Sequence, residues 1–347
     1  MRRFIWLLIL SLTFSLCLGY IAVARYTSQD VSSASVNIVE NLYIPPHKDF
    51  RAVVISDLNS QYGSTEYEPE VDRAIALIPQ WQPDLVICGG DMVAGQKTSL
   101  TDSQIQAMWS AFDRHVAAPL RSRNIPFAFT IGNHDGSGAI KNQTLIFERE
   151  RNLAKAYWQQ HQQLGIEFVD EANFPFNYSF KLDGIFFLVW DASTQNISQK
   201  QLDWIQYTLK SAAAQQASAR IAIGHLPLYP IAAEKNQPGE YLNNNKLHSL
   251  LEQGRVTMYV SGHHHVYYPG KIGNLQLLHA GALGQGPRKL INSNLLATQT
   301  LTILDLNLDP IEIVYTTYDA KTWKSISHSL LPESISGDYG SIIRQDL

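Results

Sequence analysis

The chain has 347 residues, of which 45% are apolar and 17% are charged, and its formal net charge is −4. This composition excludes a largely disordered chain, and the absence of Lys/Arg blocks leaves no electrostatic footprint for nucleic-acid binding. Its two cysteines are Cys17, inside a hydrophobic leader, and Cys88, so neither a disulfide framework nor a cysteine-based zinc site is predicted.

The first 24 residues have the pattern of an export signal. Arg2 and Arg3 precede an uncharged run over residues 4–24, which ends in a small-x-small step. This run of 21 residues is also long enough to span a bilayer, so a cleaved signal peptide and an uncleaved membrane anchor both stay open. The positive charge before the run predicts an N-inside orientation, with the rest of the chain periplasmic or extracellular.

Behind this leader, residues 25–46 are predicted to form a linker and a lead-in strand, residues 47–325 one domain, and residues 326–347 a C-terminal tail. Within the domain, short buried-strand runs alternate with helix-like stretches, and Thr101 and Gln104 form a capping-box signature before one such stretch. This alternation predicts an α/β fold with a largely parallel sheet. The five runs are residues 52–55, 85–88, 127–131, 221–223 and 258–260.

A second group of strands shows apolar residues at every other position. Residues 178–182 and 185–189 alternate on either side of an Asp-Gly turn, which predicts a β-hairpin. Residues 304–308 and 311–315 repeat this pattern around Asp309 and Pro310. The chain is therefore predicted to contain two sheets.

Side chains suited to metal ligation follow all five buried-strand runs, at the strand ends where open α/β sheets place their sites. Each has an ordinary alternative explanation as a helix cap, a turn residue or part of a solvated loop. Their coincidence favours a shared site. If the segments are extended, Asp57 and Asn59 point the same way, as do His263 and His265, which leaves His264 at the surface. The candidates are Asp57, Asn59, Asp91, Asn133, His134, Asp135, His225, His263 and His265.

A dinuclear metal site explains this set of residue types. It needs a carboxylate that bridges two cations about 3.5 to 4 Å apart, together with imidazole and oxygen ligands that leave coordination positions open. Asp91 can act as the bridge. The imidazole and oxygen ligands can come from Asp57, Asn59, Asn133, His225, His263 and His265.

The order of these motifs resembles the calcineurin-like metallophosphoesterase superfamily over roughly residues 50–290. Members carry Asp-x-His, Gly-Asp, Gly-Asn-His-Asp/Glu, a later Gly-His and a final Gly-His-x-His, and residues 132–135 and 262–265 match most specifically. The resemblance implies two mixed β-sheets packed as a sandwich and flanked by helices, in four αββα layers. It also implies two divalent cations, drawn from Mn, Fe, Zn and Mg, at the strand ends.

The resemblance further implies residue roles. One metal is held by residues matching Asp57, Asp91 and His265, with Asn59 at a further ligand position. The other is held by residues matching Asp91, Asn133, His225 and His263. The residue matching His134 contacts the scissile phosphate and helps the leaving group depart, steadied by the acid matching Asp135.

The implied function is metal-dependent hydrolysis of phosphate esters outside the cytoplasm, with phosphomonoesters as the first substrate class and phosphodiesters as the second. Two cations lower the pKa of a shared water, the resulting hydroxide attacks the phosphorus, and His134 protonates the leaving alkoxide. The substrate partner is a phosphate ester, membrane contact is expected only through the N-terminal segment, and the oligomeric state stays open. Residues 234–245 are long enough to form a rim or lid over the site.

The chain departs from the family pattern at position 59, where Asn replaces the expected His. Purple acid phosphatases also lack that His, but they supply a Tyr three residues after the bridging Asp, where this chain has Ala94. The departure predicts a weaker first site or a preference for Mn over Zn. It also supports an alternative, in which the protein is a catalytically weakened family member that serves as a binding or membrane-tethered module.

Overall fold

The buried apolar runs become strands of two sheets in the computed structural model, which describes residues 42–242 and 244–347. The predicted leader and most of the predicted linker lie outside the described residues. In the part that the structure describes, no helix combines the length and apolar character needed to cross a membrane.

Strands run from the first part of the described chain to its last residues. In chain order they are β1 (Phe50–Ile55), β2 (Leu85–Cys88), β3 (Phe127–Phe129), β4 (Ile140–Lys141), β5 (Thr144–Leu145), β6 (Glu167–Asn173), β7 (Asn177–Leu182), β8 (Ile185–Val189), β9 (Ala219–Ile223), β10 (Met258–Ser261), β11 (Tyr268–Ile272), β12 (Leu275–His279), β13 (Thr300–Leu308), β14 (Ile311–Asp319), β15 (Ser334–Gly337) and β16 (Gly340–Arg344).

The α-helices fall between strands, as the alternating pattern predicts. They are α1 (Pro69–Leu77), α2 (Asp102–Phe112), α3 (Ala118–Arg121), α4 (Asn133–Gly136), α5 (Glu148–Gln160), α6 (Gln199–Leu209), α7 (Ala212–Gln216) and α8 (Asn245–Gln253). The predicted capping box at the start of α2 is present, because Gln104 N donates to Thr101 Oγ1 and Thr101 N donates to Gln104 Oε1. Ser198 caps α6 by accepting from Gln201 N.

Both large sheets are mixed, which confirms the predicted fold class. The five-stranded sheet has the order β14-β13-β1-β2-β3, and β1, β2 and β3 run parallel. The nine-stranded sheet has the order β15-β16-β11-β12-β10-β9-β8-β7-β6, with β12, β10, β9 and β8 parallel. Both predicted hairpins are present, as β7-β8 and β13-β14.

The two large sheets pack against each other through aromatic side chains. The rings of Phe50 on β1 and Phe187 on β8 lie 6.0 Å apart between centroids. The Tyr178 hydroxyl on β7 donates to the Phe129 carbonyl on β3 and accepts from the Phe129 N–H. This packing brings the carboxyl ends of β1, β2 and β3 to the carboxyl ends of β9 and β10.

The last residues extend the nine-stranded sheet. β16 pairs with β11, and β15 pairs with β16, both in antiparallel register. These two strands lie within residues 326–347, the segment that the sequence pattern separates as a tail. The sheet therefore continues beyond residue 325.

Candidate metal centre

The candidate ligands converge where the two sheets meet. Asp57 follows β1, Asp91 follows β2 and Asn133 begins α4 after β3, so the five-stranded sheet supplies the carboxylates and the amide. The nine-stranded sheet supplies imidazoles from the residues after β9 and β10. Asp57 is 0% exposed and Asp91 is 1% exposed, so two carboxylates are buried in a small volume.

One cluster contains Asp91, His225 and His263, whose ligand atoms lie within 4.8 Å of one another. His225 Nε2 is 3.3 Å from Asp91 Oδ2. The amide oxygen of Asn133 lies 2.9 Å from His225 Nε2 and 2.9 Å from His263 Nδ1. These four residues are the ones that the family pattern assigns to a single cation.

A second cluster contains Asp57, Asp91 and His265, whose ligand atoms also lie within 4.8 Å of one another. His265 Nε2 is 3.2 Å from Asp57 Oδ1. Asp91 belongs to both clusters, as expected of a bridging carboxylate.

The histidines are oriented as metal ligands usually are. His225 Nδ1 lies 2.8 Å from Gly89 O, His265 Nδ1 lies 2.9 Å from Gly286 O, and His263 Nε2 lies 2.8 Å from Glu240 Oε2. Each ring thus has an acceptor outside the cluster for one N–H, while its other nitrogen faces the carboxylates and the amide. This outer hydrogen bond fixes the tautomer and increases the basicity of the ligand nitrogen.

The contact between Asn133 and His263 also fits a cation. Asn133 Nδ2 donates to Gln96 Oε1 at 2.8 Å, so Asn133 Oδ1 faces the cluster. Burial lowers the pKa of His263 to about 4, and the proton of the neutral ring is on Nε2, toward Glu240. Two lone pairs, on Asn133 Oδ1 and His263 Nδ1, therefore meet at 2.9 Å. A divalent cation converts this repulsion into coordination, so the residues fit the group that the family implies.

The electrostatics of the clusters favour bound positive charge. Burial lowers the pKa of His225, but the Asp91 and Asp57 carboxylates and the hydrogen bond to Gly89 O together outweigh burial and raise this pKa to about 9. For Asp91, burial is opposed by the charges of His225 and His134, which hold its pKa well below the usual range. Burial raises the pKa of Asp57, but His265 and His225 together outweigh burial and lower this pKa. Protons and divalent cations therefore compete for the same nitrogens.

His134 lies at the rim of the clusters. Its backbone N–H donates to Asp91 Oδ1 at 2.8 Å, and its ring Nδ1 lies 3.2 Å from Gly95 O. Its Nε2 is 3.9 Å from Asp91 Oδ2, and its side chain is 21% exposed. The ring of Tyr62 lies 5.2 Å from the His134 ring. His134 therefore presents one nitrogen to whatever occupies the rim.

Asp135 has a different position from the one that the sequence predicts. Its carboxylate accepts from four backbone N–H groups, those of Gly132, Asp91, Met92 and Val93, at 2.7 to 2.9 Å. These bonds join the loops after β2 and β3. The expectation that Asp135 steadies the His134 ring is not met, since Gly95 O is the acceptor beside that ring.

The extended-segment argument for the ligand pairs is wrong, although the ligands still converge. Asp57, His263 and His265 have positive φ angles of 52°, 65° and 54°, so the chain turns sharply at these residues. His264 is 0% exposed, which contradicts its predicted surface position. Side-chain alternation holds only while a strand continues, and both strands have ended here.

Asn59 is buried next to the second cluster. It is 6% exposed, its N–H donates to Asp91 O at 3.2 Å, and its carbonyl accepts from Gln285 N at 3.1 Å. Its side-chain amide has no hydrogen bond to another residue in the described ranges. Ligation by Asn59 stays a prediction.

Two residues at the site were not singled out from the sequence. Gln96 fixes the Asn133 amide, and Glu240 accepts from the His263 ring. Glu240 lies within the segment predicted as a rim, residues 234–245, but nothing in the composition of that segment distinguishes it from other polar residues. His279, at the end of β12, is 1% exposed, and burial lowers its pKa to about 4.

Together, the two-sheet sandwich and the clusters at its edge define an α/β fold with a candidate divalent-metal site between the sheets. The family model for calcineurin-like phosphoesterases matches residues 50–267, more than half of the chain. The chain belongs to this family, which implies divalent metals and a phosphate-ester substrate. No curated protein sequence gives a significant match.

Two solved structures show the same fold. A purple acid phosphatase from yellow lupin (Lupinus luteus) seeds has 16% identity and a TM-score of 0.58, covering 81% of this chain and 54% of that chain. GAP50, described as the anchor in the inner membrane complex of Plasmodium, has 14% identity and a TM-score of 0.50, covering 80% of this chain and 87% of that chain. This chain spans about half the length of the lupin protein.

Proposed function

We propose that the protein hydrolyses phosphate esters with two divalent cations, acting first on phosphomonoesters and second on phosphodiesters. The observation that carries this proposal is the pair of ligand clusters that share Asp91, with His134 Nε2 beside them. Bound divalent cations supply Lewis-acid polarisation of phosphoryl oxygens and activation of water. One cation would be held by Asp57, Asp91 and His265 with Asn59, and the other by Asp91, Asn133, His225 and His263.

His134 is the proposed proton donor to the leaving oxygen. With its Nδ1–H directed to Gly95 O, the ring presents Nε2 to the rim, where the ester oxygen would lie. A protonated imidazole can donate a proton from this nitrogen to the leaving oxygen, and the Asp91 carboxylate lies 3.9 Å from the same nitrogen. No protein nucleophile is needed.

Variants of the full chain test these roles. Asp91→Ala should abolish metal binding and activity together, because both clusters lose a ligand. His134→Ala should lower kcat by about 10²- to 10⁴-fold with metal content retained. The measurements are metal analysis and hydrolysis of a chromogenic monoester and a chromogenic diester with Mn, Mg, Zn and Fe. Activity that survives complete metal removal would contradict the mechanism, and loss of metals from His134→Ala would contradict the role of His134.

The proposed location is outside the cytoplasm, either periplasmic or extracellular. It is supported by the charged start and apolar run of residues 1–24, which can act as a cleaved signal or as an anchor formed by residues 4–24. Fractionation of cells producing the full chain, with N-terminal sequencing of the mature product, tests the location and the cleavage.

A second candidate function is a weakened family member that serves as a binding or membrane-tethered module. Asn59, which stands where the family pattern has His, favours this alternative, as does the likeness to a Plasmodium protein described as an anchor. Metal binding without turnover of either chromogenic ester would support it over the first.

A further inference from the structure

Glu240 contacts a candidate ligand from outside the cluster. It lies between β9 and α8, and its Oε2 is 2.8 Å from His263 Nε2 and 2.7 Å from Lys235 Nζ. Lys235 Nζ and His263 Nε2 are 3.4 Å apart. Both are donors to the same carboxylate oxygen, so Lys235 pairs with Glu240 and helps to hold it against the His263 ring.

The backbone of Glu240 is fixed by the next histidine along the chain. His264 Nδ1 accepts from Ile231 N at 3.3 Å and Ala232 N at 3.4 Å, so the His264 proton is on Nε2. That Nε2–H donates to Glu240 O at 2.9 Å. Consecutive histidines therefore bind the side chain and the carbonyl of one residue, which fixes Glu240 relative to the loop after β10. This arrangement explains why His264 is buried.

The tautomer of His263 follows from these contacts. A carboxylate facing Nε2 requires an N–H at that position, which leaves Nδ1 unprotonated and directed at Asn133 Oδ1, 2.9 Å away. Residues that hold metal-bound histidines in this way typically change metal affinity 10- to 100-fold when they are removed.

We propose that Glu240 is the positioning residue for His263 and sets the affinity of the Asp91/His225/His263 cluster for its cation. The inference rests on the proposed metal centre, and it assigns Glu240 neither contact with substrate nor coordination of a metal. The effect of Glu240 on metal affinity is specific to this cluster. In the second cluster, the ring of His265 has Gly286 O as its outer acceptor.

The test is to titrate Mn²⁺ alone, and separately Zn²⁺ alone, into the demetallated full chain. Calorimetry of each titration measures the metal affinity of each of the two sites. Glu240→Ala should weaken one site by about 10- to 100-fold and change the other by less than about threefold. Glu240→Gln keeps an oxygen acceptor for His263 Nε2–H and should restore most of the affinity. Glu234→Ala is the matched control, since Glu234 is exposed on the same segment.

A double-mutant cycle separates positioning of His263 from a general structural effect. In a His263→Ala background, Glu240→Ala should have no further effect on metal affinity, because the ring that it positions is gone. Equal weakening of both sites, or an undiminished effect in that background, would overturn the inference. If the unmodified chain binds neither metal, the proposed function fails together with it. If the unmodified chain binds two metals and Glu240→Ala leaves both affinities unchanged, only this inference fails.

Discussion

Asp91 is the residue on which both candidate clusters depend, and its surroundings explain the glycine before Asn133. A Cβ at Gly132 would overlap Asp91 Oδ1 and the Asp91 backbone nitrogen. A Cβ at Gly262 would likewise overlap Ser56 Oγ and Asp57 Oδ2. The glycines of the motifs therefore permit the close approach of loops that places the carboxylates.

Asn59→His tests the one ligand position where this chain departs from its family. Imidazole is a stronger donor than a carboxamide oxygen for Zn and Fe, while Mn and Mg accept oxygen readily. If Asn59 reaches the cation of the Asp57/Asp91/His265 cluster, the variant should bind metal more tightly there. The preferred activator should move from Mn or Mg toward Zn or Fe.

Titration of each metal into the demetallated protein, with activity measured for each loaded form, checks the Asn59 prediction. Gln61→His is a matched control, because Gln61 is exposed two residues further along the same loop. An unchanged metal ranking in Asn59→His would remove Asn59 from the site.

The sequence could identify ligands but not the residues that orient them. Ligands follow buried strands, and carboxyl ends of neighbouring parallel strands meet at one edge, so their convergence is predictable. Gln96 and Glu240 reach the site from loops, 37 residues from Asn133 and 23 residues from His263. No periodicity connects such partners before the loops are folded.

At the scale of elements, the sharp turns after β1 and β10 replace side-chain alternation. They direct His263 and His265 into different clusters and bury His264 between them and the segment before α8. A period-two argument cannot anticipate this, since positive φ at His263 ends the extended geometry on which it depends.

His264→Ala should therefore destabilise the protein. It removes a buried ring and leaves Glu240 O and two backbone N–H groups, those of Ile231 and Ala232, without their partner. The expected loss in the free energy of unfolding is about 2 kcal/mol, measured by urea denaturation of the demetallated protein. His47→Ala, in which the ring removed is 38% exposed, should change it by less than about 0.5 kcal/mol. Equal stability of the two variants would show that His264 does not anchor this segment.

Over the whole molecule, the strands with strong apolar patterns could be predicted from the sequence, whereas strands with weak patterns could not. β1, β2, β3, β9 and β10 are fully buried runs, and they are the strands that precede the candidate ligands. β15 is a four-residue edge strand with one buried residue, Ile335, so its sequence carries little periodic signal. Pairing with β16 makes it a strand, and that pairing is a tertiary effect.

The position of the candidate centre predicts a link between metal binding and global stability. Asp57, Asp91 and Asn133 extend from the five-stranded sheet, whereas the three candidate histidines extend from the nine-stranded sheet. A bound cation would therefore join the sheets in the folded state and lose this site on unfolding. Free metal at about 100 times its Kd should stabilise the protein by about 2.7 kcal/mol per site, and a chelator should remove that gain.

Thermal unfolding with and without chelator, in the presence of a fixed concentration of Mn²⁺ or Zn²⁺, measures this link. The unmodified protein should lose several degrees of Tm on chelation. Asp91→Ala should show almost no response, because its clusters no longer bind metal. Glu234→Ala, which changes an exposed residue, should respond like the unmodified protein. A chelation response of the same size in Asp91→Ala would mean that the stabilising metal binds elsewhere, and the two sheets would then have to be held together without a cation at their shared edge.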